Sequence, residues 1–289
     1  CKAEKCKSFF RKFHDCTVPR TERLENVTLA CAVRRGCVRQ APEQQLLQAA
    51  LPSFFERRMR KESDFMLWRE DRPMRIALLG CGTVGGGVYE FVQERTDMEI
   101  AYVLSRRPRP ELNCPVTSDF SRIVSDPTVD TAIEVMGGRQ PAYEYMCAAL
   151  RAGKNVVTAN KALMATHGEE VMHLAEKMNR ELAFEASVGG GIPIIDPLKH
   201  SLISNEITSV MGIVNGTTNY MLTRMVDDNL SYDQALKEAQ ERGFAEADPT
   251  ADVDGFDAAA KIAILASIAF NSRVTLDDVH TEGIRNITT

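Results

Sequence analysis

The chain has 289 residues, 44% hydrophobic and 26% charged, with a net charge of −5. That length allows two domains and a sizeable core, and no apolar run approaches the ~18–20 residues that a membrane-spanning helix requires. Up to Pro73 there are 16 Lys+Arg against 10 Asp+Glu, and beyond it 19 against 30; the larger part is acidic without a basic stripe, which argues against a nucleic-acid partner.

Residues 1–73 differ in composition from the rest of the chain. They hold five of the eight cysteines (Cys1, Cys6, Cys16, Cys31 and Cys37) and His14. A zinc module or a disulfide framework would explain such a cluster, but no CxxC pair is present. The periodicity is weak, so we expect an extension of unknown role, poorly ordered. It lacks the apolar stretch and cleavage site of a secretory signal, its acids count against a transit peptide, and Met74 is a candidate natural start. The later cysteines, Cys81, Cys114 and Cys147, are scattered as in a reduced, cytoplasmic protein.

Regular patterning begins at Met74. Residues 75–79 (RIALL) form a short apolar run suited to a buried parallel strand, leading into Gly80-Cys81-Gly82-Thr83-Val84-Gly85 and a helix-compatible segment to about Arg95. This is GxGxxG in its strand-turn-helix setting. The first glycine allows the tight turn, the second lets a pyrophosphate reach the backbone, the third lets helix and strand pack closely, and the helix N-terminus faces the phosphate charge. A further strand, 99–104, ends in Ser105-Arg106-Arg107, where arginine rather than an acid favours a 2′-phosphate and hence NADP over NAD.

Further β/α units come next, with a helix at 118–124, a strand at 131–136 ending in Gly137-Gly138, a helix at 141–152 and a buried strand at 155–159. The last delivers Asn160-Lys161 at its carboxyl end, where open parallel sheets bind ligands. A helix is expected at 169–179 and a strand at 182–188, which runs into Gly189-Gly190-Gly191-Ile192-Pro193, with Pro193 at a helix start. Residues 207–214 have strand character, Asn215 to Asn219 form a capping cluster before a helix at 220–227, and Ser231 caps a helix to Arg242.

The stretch from Gly243 to Lys261 concentrates charge: Glu246, Asp248, Asp252, Asp254 and Asp257 precede a helix whose nine residues after Lys261 carry none. An EF-hand fails at both ends, with Thr250 at the first ligand position and Lys261 where a bidentate Glu is required. Asp257 lies four residues before Lys261, on the same helix face. Spacing alone also fits a solvated loop with an exposed ion pair.

The segments IALLGCGTVGGGV, AIEVMGG, NVVTANKAL, FEASVGGGIPII, GIVNGTTNYML and GFAEADPTADVDGFDAAAKIAIL occur in this order, and through them the chain closely resembles homoserine dehydrogenases from Met74 to its end. The resemblance implies an α/β fold: a Rossmann-like doubly wound parallel sheet at 74–200 that binds NADP, with NAD possible, then an incomplete α+β substrate-binding and dimerisation domain at 201–289. It implies NAD(P)-dependent interconversion of aspartate 4-semialdehyde and homoserine, in threonine and methionine biosynthesis. Lys261 matches the proposed proton donor, Lys161 the lysine between cofactor and substrate, and Glu246, Asp252 and Asp257 acidic substrate-binding or catalytic positions. Gly243 falls near the nicotinamide, with Gly80, Gly82, Thr83, Val84, Gly85 and Arg106 on the remaining cofactor. Glu185, Val188, Gly190 and Ile192 match a monovalent cation site, usually sodium.

Residues 1–73 do not share the resemblance, and family members continue past Thr289. We therefore expect truncation, with an incomplete sheet edge and exposed apolar surface near the C-terminus; the full-length protein would be a homodimer. The alternatives are an inactive NADP-binding fragment or regulatory subunit, and another nicotinamide oxidoreductase of a small amino acid.

Overall fold

The computed structural model describes residues 72–288; the expectation for the extension falls, up to residue 71, outside the described residues. The first part alternates regularly: β1 (Met74–Leu79), α1 (Thr83–Gln93), β2 (Met98–Leu104), β3 (Val116–Thr117), α2 (Phe120–Ser125), β4 (Thr131–Glu134), α3 (Ala142–Arg151), β5 (Asn155–Thr158), α4 (Lys161–Lys177) and β6 (Leu182–Ala183). The second part is helical: α5 (Gly216–Asp227), α6 (Tyr232–Glu241), α7 (Thr250–Val253) and α8 (Phe256–Ala269).

The six strands pair in parallel in the order β3-β2-β1-β4-β5-β6. β4 and β5 are buried at every position, as a sheet covered on both faces requires. One face, with Ala77, Leu79, Ala132 and Val156, packs against α3, α4 and α8; the other, with Ile76, Leu78, Ile133 and Val157, packs against Val88 and Val92 of α1. The order reverses between β1 and β4, and such a reversal opens a crevice at the strands' carboxyl ends. Register sharpens this: Leu79 pairs with Glu134 and Glu134 with Thr158. The segments after β1, β4 and β5 therefore leave the sheet side by side.

Helix α8 joins the two parts. Its apolar run Ile262, Ile264 and Leu265 is buried in the sheet's core cluster, each side chain contributing on the order of 1.5–3 kcal/mol. Helices α5, α6 and α7 form a separate cluster around Met221, Met225, Ala235, Val253 and Ile284. Among the described residues, no helix is long and apolar enough to cross a membrane.

Several expectations are corrected. The strand expected at 182–188 ends at Ala183, and Glu185–Ser187 form a 3₁₀ turn; the turn carries the Glu185 carboxylate back onto the amides of Ile194, Ile195 and Asp196. Pro193 does not start a helix; the helical turn is Pro197–Ser201. The helix expected from residue 169 begins at Lys161, because Asn160 accepts the Leu163 N–H and caps it. Likewise α5 begins at Gly216, capped by Asn215. The strand expected at 207–214 is irregular: no strand of the described residues lies beside it, so a ladder would leave its backbone groups unpaired. Apolar side chains stand exposed there, Met211 at 58% and Ile213 at 45%, and near the chain end Ile287 is 45% exposed.

Candidate active site

The glycine turn after β1 sorts its residues by role. Gly80 has φ +98°, and a Cβ there would lie 3.0 Å from the Met136 side chain; a residue with a side chain would be strained there. A Cβ on Gly85 would collide with the Gly80 carbonyl oxygen, whereas one on Gly82 would meet nothing within 4 Å. Gly82 starts α1 without a side-chain cap, and the first turn carries no acid, so its amides are free for an anion. Thr83 is exposed and Val84 half-buried in that turn. These residues fit a dinucleotide pyrophosphate.

Arg106 is exposed. Arg109, which the sequence did not single out, reaches from the same loop to donate to the Cys81 carbonyl within the turn, and it pairs with Glu111 at 3.2 Å.

Across the crevice, the site centres on Asp257, in the first turn of α8. Lys161 Nζ, at the first position of α4, lies 2.5 Å from its Oδ1, and Lys261 Nζ, one turn further along α8, lies 2.6 Å from its Oδ2. Lys261 also donates to the Val214 carbonyl at 2.6 Å. Asp257 is 7% exposed at its side chain, Lys261 16% and Lys161 43%. Burial by itself would raise the Asp257 pKa, but Lys261 and Lys161 outweigh it and hold the carboxyl below its usual range.

Asn215 ties the acids together. Its Nδ2 donates to Asp252 at 2.6 Å and to Asp257 at 2.9 Å, while its Oδ1 accepts the N–H and hydroxyl of Thr218. The sequence offers Asn215 as a helix cap; its second role depends on residues 37 and 42 positions later, which no local pattern reveals. The other acids separate. Asp248 accepts the Thr250 N–H at 3.1 Å, Asp254 pairs with Arg285, and Glu246 is exposed. Gly243, with φ +74°, ends α6 in the left-handed conformation typical of a helix stop.

The loop with Val188, Gly190 and Ile192 comes after the Glu185 turn. The Glu185 carboxylate is engaged by three backbone amides at 2.5–2.9 Å. Gly190 has φ +64°, Val188 is buried, and Ile192 is 71% exposed. A cation here would be held by carbonyl oxygens, the donors a hard monovalent ion accepts, rather than by this carboxylate.

A cavity of about 200 Å³ between α4 and the later half of α8, lined by Met164, Glu169, Met172, Ile264, Ser267 and Arg273 among others, includes none of these residues. It lies apart from the polar groups that converge at Asp257.

Known proteins carry the same arrangement of sequence. The profile described as the NAD-binding domain of homoserine dehydrogenase matches residues 80–185, and the one described as homoserine dehydrogenase matches 193–289. The homoserine dehydrogenase of Bacillus subtilis is 46% identical over 231 residues, covering 75% of this chain and 53% of the relative. The crystal structure of a homoserine dehydrogenase from Thiobacillus denitrificans superposes with a TM-score of 0.71 at 39% identity, covering 75% of this chain and 53% of that one. An Archaeoglobus fulgidus structure titled with the same enzyme name superposes at 0.67 with 34% identity, covering 74% of each chain. The chain spans about half the length of the curated relatives it matches. Both halves of the described structure, the dinucleotide turn and the lysine-aspartate cluster, lie within these matches: the chain belongs to the homoserine dehydrogenase family.

Proposed function

We propose that this chain forms the cofactor- and substrate-binding part of a homoserine dehydrogenase, interconverting aspartate 4-semialdehyde and homoserine with NADP. The observation that carries this reading is the single carboxylate of Asp257 holding two ammonium groups at the carboxyl ends of the strands. NADPH, when bound, supplies a hydride to the aldehyde carbon. Negative charge then develops on the aldehyde oxygen, and an oriented ammonium both stabilises that charge and gives up a proton.

Lys261 is the proposed donor. Asp257 and the Val214 carbonyl fix its direction. Lys161, the more exposed lysine, lies between cofactor and substrate and binds through its remaining N–H groups. Asp252, held by Asn215, and Glu246 offer negative charge to the substrate's amine. Gly80, Gly82, Thr83, Val84 and Gly85 receive the pyrophosphate, Gly243 lies beside the nicotinamide, and Arg106 reads the 2′-phosphate, favouring NADP over NAD. Carbonyl oxygens at Glu185, Val188, Gly190 and Ile192 hold a monovalent cation, sodium by preference. The protein is cytoplasmic and works as a homodimer.

The test tracks NADPH consumption with aspartate 4-semialdehyde against a panel of other small aldehydes and keto acids. Homoserine as product, with the semialdehyde preferred, is expected. Preference for another carbonyl, or tight NADPH binding without turnover, would contradict the proposal.

A further inference from the structure

Glu134, the last residue of β4, is fully buried, yet every partner it has is a neutral hydrogen-bond donor. Its Oε1 accepts the Met136 N–H at 2.9 Å, and its Oε2 accepts the Thr158 hydroxyl, from the adjacent strand, at 2.6 Å. The direction of that hydroxyl is set by its other partner. Thr158 Oγ1 accepts the Asn160 N–H at 3.0 Å, so its own proton points to Glu134. Asn160 then closes a ring: its Nδ2 donates to the Gly138 carbonyl at 2.5 Å, and its Oδ1 accepts the Leu163 N–H at 3.1 Å.

A carboxyl in this place is unfavourable for packing alone. Burial pushes the Glu134 carboxyl above its usual range, against the pull of the hydrogen bonds from Thr158 and Met136. Ile133, the neighbouring strand residue, is buried as completely with no polar group. The carboxyl instead supplies a bracket. Gly137 and Gly138 both have positive φ, and a side chain on Gly137 would meet nothing within 4 Å. That bare backbone lies at the carboxyl end of β4, one strand from the glycine turn and one from Asn160, and the Asn160 side chain holds it at the Gly138 carbonyl.

We propose that Glu134 is a positioning residue: through Thr158 and Asn160 it clamps the Gly137–Gly138 loop to the start of α4 and so fixes the reach of Lys161 to Asp257. The inference rests on the proposed place of Lys161 between cofactor and substrate. Glutamine at position 134 keeps the shape but replaces one acceptor oxygen with an amide NH2, so either the Met136 N–H or the Thr158 hydroxyl loses its acceptor and the bracket weakens. Thr158→Val removes the link from the other strand, and Thr158→Ser restores it.

The experiment uses the full chain and compares Glu134→Gln, Thr158→Val and Thr158→Ser, each verified as folded by circular dichroism. Two quantities are read: the trinitrophenylation rate of Lys161 relative to exposed Lys237, by peptide mass spectrometry, and the NADPH dissociation constant, by fluorescence. We expect Glu134→Gln and Thr158→Val to speed Lys161 labelling about fivefold and to weaken NADPH by a similar factor, as the loss of one buried hydrogen bond implies. Thr158→Ser should match the wild type in both. Unchanged Lys161 labelling in folded Glu134→Gln overturns the proposal; if that variant does not fold, equal Lys161 labelling in Thr158→Val and Thr158→Ser overturns it. Absence of NADPH binding by the wild type would instead refute the cofactor reading, while the labelling still decides the role of Glu134.

Discussion

Lys161 and Lys261 are held on opposite oxygens of one carboxylate, that of Asp257. One lysine comes from the helix after β5 and the other from α8, so the Asp257 side chain joins the two parts of the molecule as well as the two amines. Two ammonium groups this close would repel strongly without the anion between them.

The first prediction concerns Asp257→Asn. A carboxyl whose folded pKa lies below its unfolded value adds stability above the unfolded pKa and loses it as pH falls through the folded one. Asp257 is depressed in this way. Removing one partner of a buried pair costs about 3–5 kcal/mol, and the partial exposure of Lys161 brings the expected loss to the lower end of that range or below it. Thermal unfolding of wild type and variant should differ most near neutral pH, with the gap closing as pH falls below the ordinary Asp value of ~3.9. A gap independent of pH would show that the charge of Asp257 does not carry the contact.

Gly82 and Gly85 should respond differently to the same substitution. Gly85→Ala drives a methyl group into the Gly80 carbonyl and is expected to cost about 1–3 kcal/mol of stability. Gly82→Ala meets open space at an ordinary φ of −85°, so its stability should change by less than about 1 kcal/mol. Its NADPH affinity should nevertheless fall, because the methyl group occupies the space that the pyrophosphate needs. Denaturant unfolding and cofactor titration of both variants check the contrast; equal NADPH affinity for Gly82→Ala and wild type would remove the turn from cofactor binding.

Two arginines after β2 should separate by cofactor. Arg106→Ala is expected to weaken NADPH on the order of tenfold and leave NADH nearly unchanged, as loss of one charge-assisted contact to the 2′-phosphate would do. Arg109→Ala removes the donor to the Cys81 carbonyl and should weaken both cofactors alike by loosening the turn itself. Binding of each nucleotide to each variant is the measurement, and equal losses for NADPH and NADH in Arg106→Ala would take Arg106 out of 2′-phosphate recognition.

The alternating part of the fold was legible because its signals are local. Short apolar runs, the glycine turn and the Ser231 cap each report on their own neighbourhood, and α6 indeed starts with a capping box between Ser231 and Gln234. The Asp257-Lys261 pair was equally local, one helical turn apart. Lys161 was placed at a strand's carboxyl end, but its contact with Asp257 spans 96 positions and depends on how α4 packs on α8. The roles of Asn215 and Glu134 were hidden for the same reason: an asparagine that caps a helix and one that also binds two distant acids look identical in sequence. At Glu185 the pattern misled, since an apolar run suggested a longer strand while the carboxylate needed the chain to turn. At 207–214 the strand character was present, but a strand needs a neighbour, and the described residues supply none.

The central claim is that Lys261, oriented by Asp257, gives the proton while NADPH gives the hydride. It is tested most directly by single-turnover reduction of aspartate 4-semialdehyde, comparing the wild type with Lys261→Ala at saturating NADPH. We expect homoserine from the wild type and a rate lower by about 10²–10⁴-fold in the variant, with NADPH affinity retained. A variant rate within a few-fold of the wild type would contradict the assignment.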